Sequence, residues 1–252
     1  MTVTDFLIIL LAGMGAGTIN AVVGSGSLIT FPTLLALGYP PLLANVSNNI
    51  GLVPGSVSGV HGYRRELVGQ RTRLRRLMPA SILGALTGAT LLLVLPSSLF
   101  DKVVIVLIGI ALVLVVAQPT LSRRLAARRA ARPDSHHDAT LGVQALVALA
   151  GVYGGYFGAA QGIILIAILG IMIDDNLQRL NGCKNVLAGT VNAVAAIVFI
   201  FATDVDWKVV AAIAVGSAIG GQIGARYGRR LNPMALRGLI VVVGLIAVIR
   251  LL

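Results

Sequence analysis

Two short polar stretches stand out in an apolar chain: "NVSNN" at residues 45–49 and "NGCKN" at residues 181–185. Asn45, Ser47, Asn48 and Asn49 in the first, and Asn181, Lys184 and Asn185 in the second, carry amide, hydroxyl and ammonium donors. Ser25 and Ser27 in "GSGS" and Gln161 in "AAQG" add donors beside glycines. Such groups hydrogen-bond to the oxygens of a small anion, and Lys184 would supply the opposing charge. No acidic residue falls inside an apolar run, so a carboxylate cation site or carboxylate proton relay is not expected there. The bland alternatives are a snorkelling Lys184, Asn45 and Asn181 as helix caps, and Asn48 and Asn49 as interhelical hydrogen-bond partners. Asn20 and Asn192 read as packing groups.

The surroundings define the solvent. Of the 252 residues, 57% are hydrophobic and 12% charged, with a mean hydropathy of +0.92. Apolar runs at residues 6–23, 79–95, 103–117, 141–157, 186–202, 209–225 and 239–252 approach the ~20 residues that cross a bilayer. Continuous runs exclude the alternating strands of a barrel. The fold expected is an all-α polytopic membrane protein of about 8–10 membrane segments, placed in a bacterial inner membrane.

A net charge of +11 raises a nucleic-acid partner, but 15 of the 20 basic residues fall in three stretches between runs: 64–76, 123–132 and 226–237. That clustering marks cytoplasmic segments; no nucleic-acid partner is expected. The single cysteine, Cys183, excludes an intramolecular disulfide. His136 and His137 have no companion ligands, so neither a metal nor another cofactor is expected.

An offset of 136 residues superposes Asn45 on Asn181, Asn49 on Asn185, Gly26 on Gly162 and Gly84 on Gly220. Loop charges reverse between the halves: the basic stretch after Gly62 corresponds to the acidic "TDVDW". Two inverted-topology repeats are therefore expected, at residues 1–118 and 141–252. A basic linker at 119–140 joins them, with both termini outside. Each half has one short, interrupted segment. Gly24, Gly26 and Pro32 break the first, and Gly158 and Gly162 the second. Breaks at matching positions of inverted halves point to a transporter's binding site.

On "GSGSLITFPTLLALG", "ANVSNN", "GYFGAAQG", "NGCKNVLAG" and "DVDW", nearly the whole chain resembles the TauE/SafE family of sulfite exporters and organosulfonate permeases. The resemblance implies duplicated halves and a small-anion substrate. The chain departs from it in having Gly24-Ser25-Gly26 and Ala159-Ala160-Gln161-Gly162 where a glycine triplet is frequent. The expected activity is secondary transport of a small oxyanion by alternating access, in export. A passive anion channel is the nearest alternative. An intramembrane enzyme is disfavoured because none of the three histidines falls inside an apolar run. No catalytic residues are assigned, and a homo-oligomer is left open.

Overall fold

A computed structural model describes residues 1–131, 139–228 and 233–251 of the chain. Among the described residues there are ten α-helices and no strands: α1 (Val3–Val22), α2 (Ser27–Ala36), α3 (Pro41–Gly62), α4 (Arg71–Val94), α5 (Ser97–Ala131), α6 (Leu141–Tyr156), α7 (Gln161–Met172), α8 (Leu177–Ala202), α9 (Trp207–Tyr227) and α10 (Pro233–Leu251). Five helices or helix portions are long and apolar enough to cross a bilayer: Val3–Val22, Arg71–Val94, Ser97–Thr120, Leu177–Ala202 and Trp207–Tyr227. The chain is an all-α polytopic membrane protein. Arg132, His136, His137, Arg229 and Arg230 lie outside the described residues.

Helix starts recur with the sequence offset. Pro41, Arg71 and Ser97 open α3, α4 and α5, and Leu177, Trp207 and Pro233 open α8, α9 and α10, each 136 residues on. Packing partners exchange in the same way. Helix α1 packs on α9 as α6 packs on α4, α3 on α9 as α8 on α4, and α2 on α10 as α7 on α5, while α3 and α8 meet each other.

Small residues permit these contacts. A Cβ at Gly84 would lie 2.9 Å from Gly151 Cα, and one at Gly88 would lie 2.8 Å from the Tyr156 backbone nitrogen. On the other pair, a Cβ at Gly220 would sit 2.9 Å from the backbone nitrogen of Thr18. The backbones of α4 and α6, and of α1 and α9, touch because these positions have no side chain. Close approach of this kind is how helices associate where lipid removes the hydrophobic drive. Ser217 adds a buried hydrogen bond of 2.9 Å from its hydroxyl to the Gly51 carbonyl, tying α9 to α3.

One expectation is corrected. The basic stretch 123–132 is not a loop up to residue 131, because α5 continues through it to Ala131. Its Ala, Arg and Leu content favours a helix, so charge marks a membrane side without ending the element. Nearby, Arg73 at 2.6 Å and Arg179 at 2.9 Å hold the Asp175 carboxylate.

Candidate functional site

The short helices α2 and α7 each begin beside a break in the chain, and the two breaks touch. Gly24 has φ +89°, Gly158 φ +80° and Ala160 φ +60°. Only glycine enters that region freely. The Gly162 N–H donates to the Gly24 carbonyl at 3.0 Å. A Cβ at Gly24 would sit 2.5 Å from Gly162 Cα, so both glycines are fixed by this crossing. Gly26 is right-handed (φ −59°) and serves through space: its Cβ would lie 2.9 Å from Asn20 Cβ. Pro32 sits inside α2 and withholds one N–H from the ladder. Ala160 matches Gly24 at the repeat offset and is left-handed without being glycine. No composition signal marks it.

The polar stretches occupy α3 and α8, which flank this crossing. Three side chains on one face of α8, at i, i+3 and i+4, converge on the end of α1. Lys184 Nζ donates to the Asn20 carbonyl at 3.1 Å and the Ala21 carbonyl at 3.4 Å. Asn185 Nδ2 donates to the Ala21 carbonyl at 3.2 Å, and Asn181 Nδ2 reaches the same oxygen at 3.3 Å and the Tyr63 hydroxyl at 2.8 Å. The other half repeats the arrangement in reduced form, with Asn45 Nδ2 donating to the Tyr156 carbonyl at the end of α6, at 3.0 Å. Asn48, the counterpart of Lys184, accepts a buried hydrogen bond from the Thr30 hydroxyl of α2.

These contacts revise the bland alternatives. Lys184 is 1% exposed and does not snorkel to water. Asn45 and Asn181 lie inside their own helices, so neither caps its own N-terminus; each finishes the C-terminal end of a helix in the other half. The N-cap of α8 is Asn176, whose side chain accepts from the Gln178 N–H. Asn192 donates to the Ser56 hydroxyl across α8 and α3, as a packing group would.

A second set of groups is buried with open hydrogen-bonding capacity. Among the described residues, Ser25 Oγ, Ser47 Oγ, Asn45 Oδ1, Asn49 Oδ1 and Gln161 Nε2 have no partner. Ser25 and Gln161 are repeat counterparts, 1% and 2% exposed, each at a break. The Gln161 carboxamide lies against Gly154 of α6, where any Cβ would collide with it. Ser27 is half-buried at the start of α2. An orphaned buried donor is costly unless water or a ligand meets it. Thr30, Tyr63 and the carbonyls of Asn20 and Ala21 belong to the same assembly and were not anticipated. Thr30 alone carried a signal, as a hydroxyl within the short apolar helix.

A family model described as sulfite exporter TauE/SafE matches residues 9–251, which take in both breaks and both polar stretches. The chain belongs to the TauE/SafE family. Similar curated proteins include the probable membrane transporter protein ORF9 of Sinorhizobium, 28% identical over 243 residues that cover 94% of this chain and 88% of that protein. The probable membrane transporter protein YfcA of Escherichia coli K12 is 24% identical over 248 residues, covering 97% of this chain and 88% of the relative. A probable membrane transporter protein of Haemophilus influenzae is 26% identical over 239 residues, covering 94% of this chain and 91% of that protein. No solved structure matches significantly. The TauE/SafE chain is thus a multi-pass membrane transporter.

The crossing is distinct from the basic end of this transporter. There a cavity of about 790 Å³ is lined by residues including His61, Arg64, Arg65, Gln222 and Arg226. Its charges are exposed to solvent, whereas the groups at the crossing are buried.

Proposed function

We propose that this TauE/SafE protein is a secondary transporter that exports a small oxyanion of the sulfite or organosulfonate class across a bacterial inner membrane. It works by alternating access of two inverted repeats, 1–118 and 141–252, about a site at the crossing of the helix breaks. The observation that carries this is Lys184. The residue is 1% exposed with its amine at the broken end of α1, and no ion pair involves it among the described residues. Two carbonyls at the end of α1 hydrogen-bond this amine without neutralising it, so an arriving anion still gains from its charge.

The remaining groups suit the same ligand. Ser25 and Gln161 hold open donors, and the Asn49 carboxamide can present either its oxygen or its NH2 by rotation. Helices α2 and α7 start at the breaks, and the N-terminal end of a helix attracts negative charge. Exchange of packing partners between halves supports two-fold repeats, and the reversal of loop charge supports their inversion. A potential negative inside drives an anion outward by about 2.3 kcal/mol per charge per 100 mV.

Thermal stability of the purified protein in sulfite, sulfate, thiosulfate, sulfonates and carboxylates tests the substrate class. Saturable stabilisation by sulfite or a sulfonate is expected. Stabilisation by carboxylates alone, or by none of these anions, would overturn it.

A further inference from the structure

The end of α1 has a feature that anion binding does not account for. The helix stops at Val22, and the N–H groups of Val23 and Gly24 both return to the Ile19 carbonyl, at 2.7 and 3.1 Å. The carbonyls of Asn20 and Ala21 therefore receive no N–H from the following turn. They lie at the negative end of a 20-residue helix, where unpaired carbonyls favour a cation. In transporters with discontinuous helices, carbonyls of this kind coordinate the coupling ion.

Here the cation arrives on a tether. The Lys184 amine contacts both carbonyls, with Asn181 one helical turn before it and Asn185 next to it on the same α8 face, both donating to the Ala21 carbonyl. The corresponding end of α6 has an amide only, from Asn45, because Asn48 replaces the lysine and turns to Thr30. One broken end is thus charged and its counterpart is neutral.

We infer that the carbonyl end of α1 is a monovalent-cation site whose occupant is built in. The Lys184 ammonium takes the place of a free sodium or potassium ion, so the native protein has no use for a bound alkali cation there. Truncating the side chain frees the position. Asn181 and Asn185 can then rotate their amide oxygens inward, giving an alkali ion two carbonyls and two carboxamides as oxygen ligands. An isosteric apolar side chain would fill the position without charge and leave no room.

The inference rests on the transport proposal for its consequence, independence from alkali ions, but its test does not. Unfolding temperatures are measured for wild type, Lys184→Ala and Lys184→Met in sodium, potassium or N-methylglucamine chloride at one ionic strength, without added oxyanion. Lys184→Ala should rise saturably by about 3–6 °C in sodium or potassium relative to N-methylglucamine, as ligand linkage predicts. Wild type and Lys184→Met should stay within about 1 °C. Recovery of folded Lys184→Ala only when an alkali ion is present would support the inference as well. A flat response in Lys184→Ala, an equal response in Lys184→Met, or saturable alkali stabilisation of wild type would overturn it. A wild type indifferent to every oxyanion would sink the transport proposal while leaving this result standing.

Discussion

Lys184 closes the carbonyl end of α1 and, in the proposed transport cycle, offers charge to a ligand; substitutions can separate the two. Lys184→Met keeps the packing volume and removes the charge, so insertion should be normal while oxyanion flux falls at least about tenfold. Flux in proteoliposomes, set beside the elution profile of the purified variant, checks this. At Gly24 two effects coincide: φ is +89° and a Cβ would meet Gly162. Gly24→Ala should destabilise by about 2–4 kcal/mol, combining left-handed strain with a backbone clash. Gly38 also has positive φ (+86°), with nothing within 4 Å of a Cβ. Gly38→Ala should cost only about 1 kcal/mol, and the two unfolding curves together isolate the clash. At this scale the sequence was readable where polar residues interrupt apolar ones, as with Gln161 and Lys184. Their partners were not readable: the carbonyls of Asn20 and Ala21 belong to every sequence alike, and only folding brings them to a side chain over 160 positions away.

Between elements, a clasp at the basic end joins the two halves. Asp175, before α8, accepts from Arg73 of α4 and from Arg179. Arg179 in turn donates to the Val68 carbonyl at 2.9 Å, and Gln70 Nε2 donates to the Arg179 carbonyl at 2.8 Å. Burial alone would raise the Asp175 carboxyl, but hydrogen bonds from Arg73 and the Asn176 N–H, with the charges of Arg73 and Arg179, hold it below its ordinary value of 3.8. A depressed carboxyl stabilises fully above that ordinary value and loses its contribution as pH falls through the folded one. Hydrogen exchange of residues 63–70 in wild type should therefore accelerate below about pH 4, beyond the intrinsic trend. Asp175→Asn should show faster exchange already at neutral pH and lack that added acid dependence. The interrupted elements were legible in Gly and Pro: Gly24 and Gly26 precede α2, and Gly158 precedes α7. The end of α5 was not, because arginine reports a membrane side while favouring helix as well as leucine does.

For the whole molecule, the 136-residue offset was legible in two asparagine matches, and the helix starts recur at that same offset. The exchange of partners, α1 on α9 and α4 on α6, was not, since glycine spacing shows that helices meet without showing which ones. The proposed inversion of the repeats makes a directional prediction. In a Cys183→Ser background, Asp204→Cys should react with an impermeant thiol reagent added outside intact cells, and Arg65→Cys only after permeabilisation. The opposite pattern would reverse the assigned orientation. The account as a whole turns on a buried positive charge, at the crossing of two broken helices, that meets an anion from either side in turn. Sulfite counterflow in proteoliposomes, comparing wild type with Lys184→Met, measures that most directly. Saturable uptake accelerated by sulfite on the opposite side, and lost in the variant, is predicted. Equal uptake by both proteins, or uptake indifferent to sulfite on the far side, would contradict it.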